Sequence, residues 1–239
     1  MKKWMSLTVL LAVLSIVFVP HASLAQTVEQ EEISADISPE EIAEELGLPE
    51  ADDFIAPLSV EELTARSGVD IIREWPIVIW VNKAARGSTA QRLRVYKNGR
   101  LVLETKTSTG REQWERAKSG RKYFSGTPTG WFNPTRLVKD YFSNTWLTKM
   151  PYAIFFNGGI AVHAAAETYY NKLGTRASGG CVRLRYDEAQ WLFNLVRNEP
   201  QSLVPIFRRN GAISRDSRGR LRKRQGPSTL IIVEDKRRN

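Results

Sequence analysis

The spacing of hydrophobic and polar positions changes near residue 76, and most of the chain beyond that point has the pattern of β-strands. Short apolar runs rich in Val, Ile, Phe, Tyr and Trp are bounded there by turn residues, as strands usually are. The runs are PIVIWVN (76–82), QRLRVYK (91–97), GRLVLETK (99–106), GTPTGWF (126–132), YAIFFN (152–157), GGIAVHA (158–164), SLVPIF (202–207) and STLIIVE (228–234). They predict a mainly β fold with mixed sheets and a few short helices.

Two dipeptides in this region predict tight turns between paired strands. Asn98 and Gly99 separate two runs in which apolar and polar residues alternate. Asn-Gly is a strong signal for a β-hairpin because both residues tolerate a positive φ. Asn157 and Gly158 predict a second turn, shortly before His163.

One stretch of the β-rich region has helical spacing instead. DEAQWLFNLVRN (187–198) predicts a helix because its apolar residues recur at intervals of three and four. The residues expected on its inner face are Trp191, Leu192, Leu195 and Val196.

A segment of different character, residues 26–70, precedes the strands. SPEEIAEELGL has Ser38 as a helix cap and Pro39 at the first helical position. SVEELTARSG has Ser59 as a cap and Gly68 as a stop, so each stretch predicts a short helix. Helices of this length fold poorly alone. Either the segment lies on the basic domain as a clasp or partner-docking arm, or it is a solvated, flexible linker.

The first 25 residues have the parts of a secretory signal peptide. Lys2 and Lys3 precede an apolar run from Leu7 to Val19, and small residues lead to an expected cleavage site after Ala25. A membrane anchor is the alternative, but about a dozen apolar residues are fewer than the roughly 20 that span a bilayer. The segment predicts secretion across the inner membrane, to the periplasm or cell wall.

Charge separates the same regions. Residues 26–70 carry 14 acidic side chains and one basic one, whereas residues 71–239 have a net charge of +20. A basic surface attracts polyanions, but an exported protein meets little nucleic acid, and none of the common nucleic-acid-binding motifs is present. The expected partners are therefore acidic envelope polymers, such as cell-wall stem peptides with free carboxylates, or anionic surface lipids, and no nucleic acid. The alternative is that much of the charge is simply a solvated surface.

Beyond residue 25 the chain has one cysteine, Cys181, and one histidine, His163, 18 residues apart. An unpaired thiol in an oxidising compartment is either buried and inert or kept as a reactive group. An imidazole beside a thiol can take its proton to form the nucleophilic thiolate, and can return the proton to a leaving amine. The alternative is a packed cysteine and a core histidine with no chemical role.

The loop RASGGC (176–181) favours the reactive interpretation, because a packing cysteine needs no such run of small residues. Small residues let backbone N–H groups point together at a developing oxyanion. The candidate oxyanion donors are the N–H groups of Gly180 and Cys181. Arg183 can neutralise a substrate carboxylate or order the loop.

These residues lie in IAVHAAAETYYNKLGTRASGGCVRL (160–184), which closely resembles the signature of the YkuD-type L,D-transpeptidases. The family's pattern is a strand ending in His, a variable loop, and Ser-x-Gly-Cys-Val/Ile-Arg. Three upstream stretches resemble the family in the same order, namely RLRVYKNGRLVLETKTSTG, SGTPTGWF and MPYAIFFNGGIAVH. The resemblance covers residues 76–207.

The resemblance implies a β-rich catalytic fold, a cysteine nucleophile and a peptidoglycan substrate. No metal or cofactor is expected, because one histidine and one cysteine cannot make a usual zinc site with so few companions. Cys181 matches the nucleophile, and His163 matches the base that later acts as an acid. The third catalytic group, a backbone carbonyl, falls on Ala164, where the family usually has glycine. Alanine would be strained there if the position needs a positive φ. The other positions that match the site are Ser178, Gly179 and Arg183 in the loop and Tyr152 near the donor pocket.

The expected organisation is a signal peptide (1–25), an acidic arm with short helices or linker (26–70), a catalytic domain (71–207), and a basic loop with a C-terminal strand or tail (208–239).

The implied reaction is attack of Cys181 on the L,D peptide bond of a tetrapeptide stem, with loss of D-alanine and acyl transfer to an amine, which forms a 3→3 cross-link. Transfer to water would give an L,D-carboxypeptidase, and transfer to a protein lysine would anchor an envelope protein. An inactive wall-binding regulator is a further alternative. A D,D-transpeptidase is not supported, because the Ser-x-x-Lys match at Ser119 overlaps the Lys-Ser-Gly match on the same serine.

Overall fold

The structure is a computed structural model that describes residues 38–51, 59–143, 148–207 and 212–238. Its contacts separate residues 1–30 from a unit formed by residues 31–239, and the fold below is that of the second unit. The predicted signal peptide and the first part of the acidic arm lie outside the described residues. No helix in the described ranges is long and apolar enough to cross a membrane.

The fold is mainly β with a few short helices, as the sequence predicts. The helices are α1 (Pro39–Leu46), α2 (Val60–Ser67), α3 (Ile71–Glu74), α4 (Tyr186–Asn198) and one 3₁₀ helix (Glu167–Lys172). The strands are β1 (Ile77–Asn82), β2 (Arg92–Lys97), β3 (Arg100–Lys106), β4 (Thr109–Gly110), β5 (Trp114–Arg116), β6 (Lys122–Phe124), β7 (Gly130–Phe132), β8 (Arg136–Ser143), β9 (Thr148–Asn157), β10 (Ile160–Ala164), β11 (Arg176–Ser178), β12 (Val182–Leu184), β13 (Gln201–Pro205), β14 (Lys223–Pro227) and β15 (Thr229–Glu234).

The first sheet has the strand order β3-β2-β1-β15-β7. β15 pairs in parallel with β1, with Ile77 opposite Thr229, and antiparallel with β7 on its other side. Every residue of β1 and β15 is buried, which explains their continuous apolar runs. The C-terminal segment therefore supplies an inner strand of this sheet, and β14 returns the basic segment to pair with β13.

The hairpin predicted at Asn98 and Gly99 is confirmed. It joins β2 to β3, and the two residues have φ values of 49° and 79°, as a type I′ turn requires. The second predicted turn lies one residue later than expected, because β9 still includes Asn157 and the turn is made by Gly158 and Gly159.

The second sheet has the strand order β12-β10-β9-β8. One of its faces packs against the first sheet and α4, in the largest apolar cluster of the described residues. The opposite face carries a second cluster, which contains Cys181 and Ile42 of α1. The second sheet therefore separates the main core from the face on which Cys181 lies.

Helix α4 begins near the predicted position, but its inner face differs from the prediction. Its buried residues are Ala189, Leu192, Phe193 and Val196. These residues recur at intervals of three and four, so they share one helix face. Trp191 lies off this stripe and is 42 % exposed, so its prediction as an inner residue was wrong.

Both described helices of the acidic arm pack on the β-rich domain. α2 starts with a capping box formed by Ser59 and Glu62, and its Leu63 is fully buried in a third apolar cluster. Glu61 of α2 pairs with Arg238 at 2.8 Å. Helix α1 packs on the second sheet, beside Cys181.

Candidate active site

The histidine and the cysteine come from neighbouring parallel strands of the second sheet. In the pairing of β10 with β12, Val162 lies opposite Val182 and His163 opposite Arg183. Because side chains alternate along a strand, His163 lies on the same face as Arg183 and Cys181. The Ala161 N–H also donates to the Cys181 Sγ at 3.4 Å. The structure therefore brings the two predicted catalytic residues to one face of the sheet.

His163 is oriented by the residue that follows it. Its Nδ1 lies 2.8 Å from the Ala164 carbonyl oxygen. A carbonyl only accepts hydrogen bonds, so Nδ1 carries the proton and Nε2 keeps its lone pair. Ala164 ends β10 and is not among the residues with positive φ, so alanine is not strained there. The carbonyl thus holds His163 in the tautomer that can accept a proton at Nε2.

The loop before Cys181 is held by internal hydrogen bonds. The buried Ser178 hydroxyl donates to the Cys181 carbonyl at 2.5 Å and accepts from the Gly180 N–H at 3.1 Å. Gly180 has a φ of 140°, which favours glycine. Gly179 is partly exposed between them. Ser178 therefore shapes the loop from within.

The two predicted oxyanion donors differ in this loop. The Gly180 N–H is engaged by Ser178 and does not point freely at a substrate, which removes it from the predicted pair. In the described part of the chain, the Cys181 N–H has no hydrogen-bond acceptor. Cys181 is therefore the one of these two residues that can offer its N–H to an oxyanion.

Thr127 also supports the loop, and reasoning from the sequence missed it. Its buried hydroxyl donates to the Gly180 carbonyl at 2.6 Å and accepts from the Gly110 N–H at 2.9 Å. Thr127 thus connects the stretch after β6 to the residue before the nucleophile. Thr127 belongs to the Thr-Pro-Thr-Gly stretch, which predicted a strand but gave no indication of this loop contact.

Arg183 is a buried cation, and in the described ranges no carboxylate pairs with it. Its guanidinium lies over the Tyr169 ring at 5.1 Å and donates to the Ala177 carbonyl at 3.5 Å. Its Nε has no hydrogen-bond partner among the described residues. A cation left uncompensated beside Cys181 favours negative charge there.

Burial holds both members of the pair, His163 and Cys181, in their neutral forms. Burial, followed by the nearby charge of Arg183, lowers the pKa of His163 to about 3, although the hydrogen bond to the Ala164 carbonyl opposes the shift. Burial raises the pKa of the Cys181 thiol, against the Ala161 N–H and Arg183. His163 is 2 % exposed and Cys181 is 9 % exposed. The resting pair is therefore an imidazole beside a thiol.

Tyr152 is not brought to this face. It is buried in the main core, and its hydroxyl accepts from Gln190 Nε2 at 2.7 Å. Its ring packs edge-on against Phe193 of α4, on the side of the sheet away from Cys181. This placement contradicts its assignment to a donor pocket. The described residues also contain no cluster of three or more metal-ligating side chains.

The family model of the L,D-transpeptidase catalytic domain, YkuD, matches residues 76–224. The chain belongs to this family. The match extends beyond the resemblance seen in the sequence, which ended at residue 207, and so includes part of the basic segment.

Several solved L,D-transpeptidases are similar to the chain. The enzyme from Xylanimonas cellulosilytica is 25 % identical, with 67 % of this chain and 61 % of that chain covered and a TM-score of 0.45. The enzyme from Stackebrandtia nassauensis is 19 % identical, with 74 % and 65 % covered and a TM-score of 0.42. L,D-transpeptidase 3 from Mycobacterium tuberculosis, in complex with a faropenem-derived adduct, is 15 % identical, with 67 % and 61 % covered and a TM-score of 0.42.

The chain thus spans less than two thirds of the length of each of these solved chains. A comparison with curated proteins gave no significant match.

Thr127→Val is expected to lower kcat for release of the leaving group about tenfold, with little change in KM. The substitution keeps the side-chain shape but leaves the Gly110 N–H and Gly180 carbonyl without their partner, which loosens the loop at Cys181. Initial rates with a peptidoglycan stem tetrapeptide, with thermal melting in parallel, measure the effect. Thr127→Ser keeps the hydroxyl and is the control; equal kcat for the two variants would contradict a positioning role.

Proposed function

We propose that the chain is an exported peptidoglycan L,D-transpeptidase that uses Cys181 as its nucleophile. The observation that carries the proposal is the alignment of His163 by the Ala164 carbonyl, on the face that also bears Cys181. Membership of the family supplies the substrate class, a tetrapeptide stem of peptidoglycan. The sequence of the first 25 residues supports export, and the periplasm or cell wall is the proposed location.

In the first half-reaction, His163 Nε2 takes the proton of the Cys181 thiol as the substrate binds. The thiolate attacks the carbonyl carbon of the L,D bond between the diamino acid and the terminal D-alanine, forming a C–S bond and an oxyanion. The Cys181 N–H donates to this oxyanion. When the intermediate collapses, the C–N bond breaks and the imidazolium returns its proton to the amine of D-alanine.

In the second half-reaction, the acceptor is an amine of another stem. The amine attacks the thioester carbon, His163 takes a proton from it, and Cys181 leaves as the thiolate, which regains that proton. The product is a 3→3 cross-link. Water in place of the amine gives an L,D-carboxypeptidase, and a lysine of an envelope protein gives protein attachment.

Arg183 and Ser178 support these steps without forming bonds to carbon. The buried charge of Arg183 stabilises the thiolate, because an opposite charge nearby favours the ionised form. The hydrogen bonds of Ser178 to the Cys181 carbonyl and the Gly180 N–H hold the nucleophile's backbone. Both residues therefore act in the proposal by positioning and charge.

Incubation of the full chain with purified tetrapeptide muropeptides, followed by mass spectrometry, tests the proposal. Dimers with a 3→3 linkage and free D-alanine are the expected products. Tripeptides alone would replace the transferase assignment with a carboxypeptidase. If the tetrapeptides remain unchanged with both the wild type and variants whose Cys181 is accessible, the proposed enzyme activity is refuted.

A further inference from the structure

Helix α1 of the acidic arm lies directly against the residues that flank the proposed nucleophile. A Cβ added at Gly159 would lie 1.9 Å from the Pro39 carbonyl oxygen and 2.7 Å from the Ile42 Cβ. A Cβ added at Gly180 would lie 3.1 Å from the Pro39 Cγ. The first turn of α1 therefore sits on the turn that leads into β10 and on the residue just before Cys181.

The apolar face of α1 continues this contact. Ile42 is 2 % exposed and belongs to the same cluster as Cys181 and Ala161. Leu46 packs against that cluster as well. The burial that keeps Cys181 out of solvent is thus partly supplied by the arm, which lies outside the matched family domain.

Polar contacts fasten the helix along its length. Glu44 pairs with Arg121 at 2.8 Å, and Glu45 accepts from the Ser143 hydroxyl at 2.6 Å. Arg136 donates to the Leu46 carbonyl at 2.7 Å. One ion pair and two further hydrogen bonds therefore hold α1 at the site, and the ion pair agrees with the opposite charges of the two regions.

We propose that helix α1 is an autoinhibitory plug that occupies the stem-peptide site, so that catalysis requires its displacement. The role as an inhibitor rests on the proposed transpeptidase function, whereas the covering of Cys181 does not. A stem peptide must approach both Cys181 and His163, and neither is accessible while the Pro39 and Ile42 contacts are made. With α1 displaced, the pair gains solvent, and the burial that holds the thiol neutral is relieved.

Alkylation of Cys181 by iodoacetamide, followed by intact mass, tests the covering independently of any enzyme activity. The reagent is small and neutral, and the only cysteine in the chain gives a single mass increment. Ile42→Asn is expected to speed alkylation about tenfold or more, because it places an amide in the apolar contact. Ile42→Val keeps the contact apolar and is expected to react much like the wild type.

Two further variants weaken the contact between α1 and the domain at other residues. Gly159→Ala alters the domain instead of the arm, and its added methyl group is expected to expel the Pro39 backbone and speed alkylation as well. Glu44→Arg is expected to speed it by about two- to fivefold, since it turns an exposed ion pair into a repulsion. Glu61→Arg makes the same change on α2, whose partners are Arg238 and Lys236, and is expected to have no effect.

Circular dichroism and thermal melting establish that each variant is folded, and Gly159→Ala replaces Ile42→Asn if the latter is not. Faster alkylation in parallel with faster muropeptide turnover supports the plug. Alkylation equal to the wild type in both Ile42→Asn and Gly159→Ala would overturn it, even if the wild type turns over muropeptides. If alkylation is faster but muropeptide turnover is measurable and unchanged, the inhibitory role of α1 is also overturned. Faster alkylation with no turnover in any variant would instead count against the transpeptidase function and leave the covering in place.

Discussion

Replacing Cys181 with alanine is expected to abolish acyl-enzyme formation and to lower turnover of muropeptides by about 10³-fold or more. No other thiol in the chain can replace the nucleophile. Intact mass after incubation with a carbapenem, which acylates the cysteine of this family, is expected to show one adduct on the wild type and none on the variant. Because α1 covers Cys181, the comparison is made in both the wild-type and the Ile42→Asn background.

Thermal melting is the control for this substitution, because Cys181→Ala is expected to change the folded structure very little. Cys181 lies in an apolar cluster, and alanine removes only one buried sulfur atom from it. The melting temperature of Cys181→Ala should therefore remain close to that of the wild type. An adduct of equal yield on the folded alanine variant would show that the reagent reacts elsewhere and would remove Cys181 from the mechanism.

His163→Gln is expected to lower the rate of acylation by about 10²- to 10⁴-fold, because glutamine cannot take a proton from the thiol or return it to the leaving amine. Its acylation rate should rise with pH as hydroxide ionises the thiol, whose pKa is raised by burial. Stopped acylation reactions at several pH values, made in the Ile42→Asn background so that α1 does not limit access and analysed by intact mass, measure both effects. A variant as fast as the wild type at neutral pH would contradict the role of His163 as the base.

The same substitution gives a readout in stability. Burial holds the pKa of His163 at about 3 in the folded protein, whereas an unfolded histidine titrates near its ordinary value of 6.5. The unfolded state therefore binds more protons between these values, so this group's contribution to stability is present above pH 6.5 and is lost as the pH falls toward 3. The glutamine variant lacks the effect and should lose less stability than the wild type over that range.

Local features were the most predictable from the sequence. The hairpin at Asn98 and Gly99 depends on the φ preferences of two adjacent residues, and its prediction was confirmed. Helices begin directly after Ser38 and Ser59, as predicted, but only the Ser59 side chain makes a capping hydrogen bond. The inner face of α4 was less predictable, because Trp191 is apolar enough to suit the core but lies outside the row of buried residues on that helix.

Within the site, the sequence identified candidate residues but did not determine where each side chain or N–H group points. The Gly180 N–H was expected to face an oxyanion, but the Ser178 hydroxyl binds it. Tyr152 was expected at the donor pocket, but it lies on the other face of the sheet, in the core with α4. Thr127 lies in a stretch that predicted a strand, and the sequence assigned it no role in the site. Each of these outcomes depends on which face or which loop lies nearby, and residue type does not determine that.

The sequence by itself predicted Cys181 and His163 as the reactive pair, and it determined the family and the opposite charges of arm and domain. These follow from residue identity and spacing, which require no knowledge of distant contacts. Only the tertiary structure decided that α1 lies on the site, because that placement depends on Gly159 allowing the Pro39 backbone to approach and on the apolar contact of Ile42. Those contacts join segments more than a hundred residues apart, and no local pattern in either segment specifies the other.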